Sequence, residues 1–294
     1  MIAIDWGTSS FRAYLLTADG AIAERRSAPL GVLAVQDGKF AEALESQVGD
    51  WLDAGKAPVL MSGMIGSRQG WAEAPYARCP AGVEEIAAGM IEVRWGGSRS
   101  GWIAPGLRCR DVQGVPDVMR GEETQILGAL EEVSARTAWI CLPGTHSKWV
   151  RVEMGKIVHF ATHMTGEVFG LMKTHSILGR MMANGETNPV AFASGVLRAR
   201  APGGVLHHLF GVRTLGLLQD LSEADSASYL SGLLIGHELV ALPRLIDAVY
   251  LLGAPRLSRL YAEALKAYGV DALMLDPDSA VKGLFKLAQA LPRT

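Results

Sequence analysis

Cysteine is scarce in this chain. Cys79, Cys109 and Cys141 are its only three in 294 residues, they are odd in number and widely spaced, and no C-x-x-C occurs. A disulfide framework and a cysteine-type zinc site are thereby excluded, and a reducing, cytoplasmic compartment is expected. Charge of one sign is also lacking: 28 Lys and Arg stand against 30 Asp and Glu, a formal net charge of −2. That balance leaves no footprint for nucleic acid or an anionic membrane surface. No apolar run is long enough to span a bilayer, since the longest, Leu230 to Leu242, is broken by His237 and Glu238. Met1 to Asp5 leads straight into a strand-like pattern, so no signal peptide is expected.

What is present is ample apolar material, 49% of the residues, enough for two cores and for a homodimer contact. Ile2 to Asp5, a turn at Gly7 to Ser10, and Phe11 to Thr17 read as a hairpin. Asp19-Gly20 then turns into a third strand, Ala21 to Arg26. Phe40, Leu44, Val48, Trp51 and Leu52 recur at helical spacing and stop at Gly55, and Pro58 to Met61 reads as a buried strand. The stretch up to about Asp117 is expected to hold strands, loops and one or two short helices. Helices are expected over Gly121 to Ser134, over Glu223 to Leu242 behind a Ser222/Asp225 capping box, and from Ser279 to the end. Leu257, Leu260, Tyr261, Ala264, Leu265 and Tyr268 form an amphipathic stripe closed by Gly269. Trp139 to Leu142 and Val249 to Leu252 read as strands, and the alternation argues an α/β fold.

Two segments echo each other: Trp6-Gly7-Thr8-Ser9-Ser10-Phe11-Arg12 and Pro143-Gly144-Thr145-His146-Ser147-Lys148-Trp149. Each places Gly-Thr-x-Ser between an apolar strand and the next strand. This implies two similar domains, 1–133 and 134–294, facing a shared cleft, with a last helix able to pack back on the first. Glycine lets backbone approach a phosphate, and successive N–H groups and hydroxyls donate to its oxygens. Two such turns can hold a triphosphate, and Asp5, at the end of the first strand, can hold Mg²⁺ directly or through water. An isolated Asp-x-Gly-Thr is otherwise an ordinary hairpin turn.

Asp5 to Arg12 resembles the first phosphate motif of the actin, hexokinase and chaperone ATPase superfamily. Over nearly its full length the chain resembles the 2-dehydro-3-deoxygalactonokinases. The matching blocks are Ser62 to Trp71, Arg120 to Gln125, Leu142 to Trp149, Thr165-Gly166-Glu167 and Ser228 to Gly236. The resemblance implies two actin-like (ribonuclease H-like) domains and ATP-dependent phosphorylation of the terminal hydroxyl of 2-dehydro-3-deoxy-D-galactonate, ahead of an aldol cleavage in galactonate breakdown. Thr8, Ser9 and Arg12 are then the first phosphate contacts, with Gly7 at the turn. Gly144, Thr145, His146 and Ser147 face the β- and γ-phosphates, and Lys148 either adds a charge or, by strand alternation, points away. Leu142 stands where the superfamily often has a second acid, so metal binding rests on Asp5.

A hydroxyl attacking a γ-phosphate needs a carboxylate to take its proton. Glu122 and Glu123, at a helix start, are the candidates, with Asp117 as a rival; helix-dipole stabilisation alone would also put two acids there. Arg68 suits the substrate carboxylate, with Gln69 and Trp71 on hydroxyls and ring, and Thr165 and Glu167 complete the sugar site. Gly253, beside Ala254 and Pro255, resembles the superfamily's adenosine turn. His159 and His163, and the adjacent His207 and His208, lack the partners of a zinc spacing and are expected to be structural. The competing functions are a kinase of another sugar acid, an exopolyphosphatase-like phosphohydrolase, and a non-catalytic ATP-binding scaffold; the Arg68 loop argues against the second.

Overall fold

A computed structural model describes residues 1–55, 57–183, 185–242 and 246–291. In chain order its first elements are β1 (Ile2–Trp6), β2 (Phe11–Leu16), β3 (Ile22–Ala28), α1 (Phe40–Asp53), β4 (Val59–Ser62), β5 (Tyr76–Arg78) and α2 (Val83–Ala88). They are followed by β6 (Ile91–Trp95), β7 (Arg99–Ile103), β8 (Gly106–Arg110), β9 (Pro116–Met119) and α3 (Glu122–Ala129). Next come β10 (Thr137–Leu142), β11 (Ser147–Glu153), β12 (Lys156–His163), α4 (Thr165–His175), α5 (Pro189–Arg198), α6 (Gly204–Leu217) and α7 (Glu223–Val240). The chain ends with β13 (Ala248–Leu251), α8 (Pro255–Ala267), β14 (Asp271–Met274) and α9 (Ser279–Ala290). No described helix is long and apolar enough to cross a membrane.

By its contacts the chain divides into two units. The first holds Met1–Thr137, Val150–Phe160 and the chain from Leu275 on; the second holds Ala138–Trp149 and Ala161–Met274.

The first unit is built on a six-stranded sheet of order β3-β2-β1-β4-β7-β6. The β1–β2 and β2–β3 pairs are antiparallel, while β1–β4 and β4–β7 run parallel. Strand alternation turns Ile2, Ile4 and Trp6 to one face, where they meet Phe11, Phe40, Leu44, Val48 and Met61. Fully burying side chains of this size is worth about 1.5–3 kcal/mol each, which fixes the end of β1, where Asp5 sits. Helix α9 packs on α3 at very short range. A Cβ on Gly128 would stand 1.8 Å from Ser279 O, and one on Gly283 would stand 1.9 Å from Thr124 O. Only glycine permits that crossing, and it anchors the helix that opens with Glu122.

The second sheet has the order β12-β11-β10-β13-β14, with β10–β13 and β13–β14 parallel. It repeats the first five strands of the other sheet, β3-β2-β1-β4-β7, position for position. The Gly-Thr-x-Ser echo therefore marks a repeated topology, each copy of the motif following its sheet's central strand. A layer of helices covers the core formed by Cys141, Trp149, Val249, Leu251, Tyr261 and Leu265. Helices α5 and α7 pack beside it around Leu230, Leu233 and Tyr229. Helices α4, α5 and α6 have no counterpart in the sequence-based expectations. Ser222 does cap α7: its Oγ accepts from Asp225 N at 3.1 Å. The Asp225 carboxylate, however, turns to Ser222 Oγ at 2.7 Å and Asn188 Nδ2 at 2.6 Å, tying the cap to α5.

Candidate functional site

In the first unit, Asp5 is the penultimate residue of β1 and pairs in register with Arg12 of β2. Arg12 Nη1 lies 3.5 Å from Asp5 Oδ2, and the Asp5 side chain is 17% exposed against 53% for Arg12. Burial raises the Asp5 carboxyl above the usual aspartate range, Arg12 opposes that shift, and the charge of Glu122 adds to it. The turn that follows is closed by Gly7 N donating to Ser10 O at 2.9 Å. Thr8 and Ser9 stand exposed at its tip. Their hydroxyls and N–H groups form a donor surface for an anion beside a buried carboxylate.

Glu122 and Glu123 open α3 and have different surroundings. Glu123 is fully buried, and both its oxygens accept from Gly121 N, at 2.9 and 2.7 Å. Burial and the charge of Glu122 push its carboxyl up to about 8. Glu122 is only part-buried; its Oε2 accepts from Arg120 N at 3.0 Å, and its charge is felt at Asp5. The two glutamates thus separate into a buried carboxyl that ties down Gly121 and a more open carboxylate within electrostatic reach of Asp5.

The loop after β4 borders a cavity of about 320 Å³ lined by Ser67, Arg68, Gln69, Glu73, Tyr76 and Arg120. Arg68 is 86% exposed and its Nε donates to Glu73 Oε1 at 3.0 Å. Trp71 does not line this cavity. Its ring lies 5.2 Å from that of Trp95 and packs against the first unit's core. Arg120 does line it, stacked 4.3 Å above the Tyr76 ring with Nη2 donating to Ala74 O at 2.7 Å. Arg120 stood in one of the family-like blocks, but nothing in its spacing singled it out.

In the second unit, the turn Gly144 to Ser147 joins β10 to β11. Thr145 and His146 are exposed, whereas Ser147 and Lys148 are buried. Lys148 Nζ donates back to His146 O at 3.0 Å, so this lysine sits beneath the turn. The start of α4 clamps the turn from the other side. Glu167 N donates to Thr145 O at 3.0 Å, the Glu167 carboxylate pairs with His146 Nε2, and a Cβ on Gly166 would stand 2.6 Å from Gly144 O. Thr165 and Glu167, expected at the sugar site, therefore lie against the second Gly-Thr turn.

A cavity of about 510 Å³ opens from this turn, and Gly144, Thr165, Ser228, Ala254, Arg256 and Tyr261 are among the residues that line it. That volume lies in the range of small-ligand sites and can hold a nucleoside. Gly253 precedes the lining residue Ala254, and a Cβ on it would come 3.3 Å from Pro143 O. The start of α8 and the second turn, 110 residues apart in the chain from Gly144 to Ala254, thus meet at one cavity. His208 does not line this cavity: it is buried, with a 3.0 Å Nδ1–Nε2 contact to His237 and a 3.1 Å contact to Pro202 O. Among the described residues, no group of three or more His, Cys, Asp or Glu could hold a metal ion by itself.

A family model described as 2-keto-3-deoxy-galactonokinase matches residues 5–287. A probable 2-dehydro-3-deoxygalactonokinase of Rhizobium meliloti (strain 1021) is 41% identical over 298 residues, covering 98% of this chain and 96% of the relative. The 2-dehydro-3-deoxygalactonokinase of Escherichia coli (strain K12) is 35% identical over 294 residues, covering 99% and 98%. A crystal structure from Sinorhizobium meliloti, provisionally named as the same kinase, is 38% identical and superposes with a TM-score of 0.90 over 98% of each chain. Component A of the Acidaminococcus fermentans (R)-2-hydroxyglutaryl-CoA dehydratase, 13% identical with a TM-score of 0.51 over 99% of this chain and 98% of that one, shares the α/β fold alone with this chain.

Proposed function

The chain belongs to the 2-keto-3-deoxy-galactonokinase family, and from that premise we propose that it transfers the γ-phosphoryl group of ATP to the terminal hydroxyl of 2-dehydro-3-deoxy-D-galactonate. The observation that carries this reading is the nucleoside-sized cavity shared by Gly144 and Ala254. In it the second Gly-Thr turn adjoins a site for adenosine, so a nucleotide seated there brings its phosphates to Thr145 and His146. In the first unit, Thr8 and Ser9 present the donors of the Gly7–Ser10 turn, with Arg12 beside Asp5.

The residues fit Mg²⁺, which is commonly held by one or two carboxylates together with waters and phosphate oxygens. Asp5 is the acid placed next to a donor turn, and it would hold the ion directly or through water. When bound, Mg²⁺ neutralises charge on the phosphate oxygens. Arg12 draws the Asp5 carboxyl down against the stronger upward push of its burial.

Glu122 accepts the proton of the substrate hydroxyl as its oxygen bonds to the γ-phosphorus. The bond from that phosphorus to the β–γ bridging oxygen breaks, and ADP leaves. Arg68, with Gln69, binds the sugar acid at the 320 Å³ cavity, where a guanidinium matches the carboxylate. Thr165 belongs to the nucleotide side, and Glu167 orients His146. The step lies in galactonate breakdown, in the cytoplasm, and the three unpaired cysteines are in keeping with a reducing compartment.

The test is ADP release over a panel of 2-keto-3-deoxy sugar acids. The galacto acid should give the highest kcat/KM, with ADP formation dependent on acceptor. ADP release that ignores every sugar acid would overturn the assignment.

A further inference from the structure

Glu238 is a carboxylate in the last turn of α7, 2% exposed. Three neutral donors converge on it. Ser147 Oγ and Tyr261 OH both donate to Oε1, at 2.8 and 2.7 Å, and Trp149 Nε1 donates to Oε2 at 2.7 Å. Together these three hydrogen bonds fix positions from different parts of the chain. Ser147 is the last residue of the second Gly-Thr turn. Tyr261, on α8, lines the 510 Å³ cavity. Trp149 belongs to the core beneath.

The hydroxyl of Ser147 has a single proton. With Glu238 at 2.8 Å and His163 O at 3.3 Å, that proton is directed inward. Ser147 is fully buried, so its hydroxyl serves the turn from within rather than facing the cavity. The turn's shape therefore depends on where Glu238 holds that hydroxyl, and the same carboxylate sets the cavity wall through Tyr261.

We propose that Glu238 is a positioning residue for the nucleotide: it locks the second Gly-Thr turn and the α8 wall of the cavity into one geometry. This rests on the reading of Gly144 to Ser147 as a phosphate-holding turn. Glu238 touches no reacting atom and acts only through Ser147 and Tyr261. Its loss should affect nucleotide affinity and leave recognition of the sugar acid untouched, a split that a general packing role does not produce.

The variants are Glu238→Gln, Ser147→Ala and the double variant, with Thr145→Ala as the reporter of the turn itself. ADP binding is measured by calorimetry, and KM for ATP and for the sugar acid by steady-state kinetics. Glu238→Gln replaces one accepting oxygen by an amide that cannot accept, so on the order of a tenfold weakening of ADP binding is expected. Ser147→Ala should weaken it several-fold, and the double variant little more than Glu238→Gln alone, because both break one latch. The sugar-acid KM should stay within about twofold, well below the tenfold that a lost charged contact gives. If Glu238→Gln does not fold, Ser147→Ala decides by the same readout. If Thr145→Ala weakens ADP binding while the Glu238 and Ser147 variants bind it as wild type does, the positioning role is overturned. Normal binding in all of them overturns the phosphate-turn reading, and the positioning role with it.

Discussion

Glu123 closes on Gly121 with both carboxylate oxygens, at 2.9 and 2.7 Å from one backbone nitrogen. Its neighbour Glu122 is left part-buried, bonded to Arg120 N and within electrostatic reach of Asp5. Successive helix residues point about 100° apart, so Glu123 turns into the interior while Glu122 is the part-exposed member, near Asp5. Glu122→Gln should lower kcat by about 10²–10⁴-fold with little change in either KM, the usual range for a lost general base. Glu123→Gln should keep kcat within a small factor. Steady-state kinetics on the two variants checks this, and a reversal would make Glu123 the base.

The raised carboxyl of Glu123 also has a signature in stability. Its ordinary value is 4.5, and the folded protein holds it up to about 8. Between those values the native state binds a proton that the unfolded chain does not, so this group's contribution is full below about 4.5 and is lost as pH rises through about 8. Glu123→Gln removes the titration. The difference in Tm between wild type and variant should therefore change steadily over that window, and a pH-independent difference would show that Glu123 titrates normally.

Asp5 titrates above the ordinary aspartate range because burial outweighs Arg12. Its ionised form is the one proposed to hold Mg²⁺, so the acid limb of kcat/KM should lie above that range. Arg12→Ala should move the limb further up, since it removes the group that lowers this carboxyl. Asp5→Asn should abolish turnover while leaving the circular dichroism spectrum and Tm close to wild type. Full activity in Asp5→Asn would remove Asp5 from the site.

Arg68→Ala should raise KM for the sugar acid about tenfold to a hundredfold, the range for losing a charge-assisted hydrogen bond, with KM for ATP unchanged. Trp71→Phe should behave differently, because the indole packs on Trp95 and the core. It should lower Tm and leave the sugar-acid KM within about twofold, well short of the tenfold a lost polar contact gives. If the KM effects of the two variants are exchanged, Trp71 is the substrate contact and Arg68 a surface residue.

Much of this was legible in the chain itself. The β1 hairpin, the acid at its end and the α8 stripe follow from period-2 and period-3.6 spacing, which act locally. The Gly-Thr-x-Ser echo pointed to a repeated unit, and the repeated strand order agrees with it. Helices α4 and α6 were not legible, because their apolar residues surround the helix rather than forming one stripe, as in Gly204–Leu217; α5 does carry a buried stripe, Ala191, Phe192, Gly195 and Val196, but it is short. Glu238 was read only as a break in an apolar run. Its partners Ser147 and Trp149 lie 91 and 89 residues away, so no local pattern could connect them. The packing of Trp71 was hidden for a related reason: an aromatic in a polar, glycine-rich loop gives no sign of Trp95, 24 residues on, until the fold brings the two rings together.

The most direct test of the central claim is product identification. Enzyme, ATP, Mg²⁺ and 2-dehydro-3-deoxy-D-galactonate are incubated, and the mixture is followed by ³¹P NMR and mass spectrometry. One phosphomonoester is expected, on the terminal carbon of the sugar acid, formed mole for mole with ADP. Inorganic phosphate appearing with ADP, and no sugar phosphate, would contradict it.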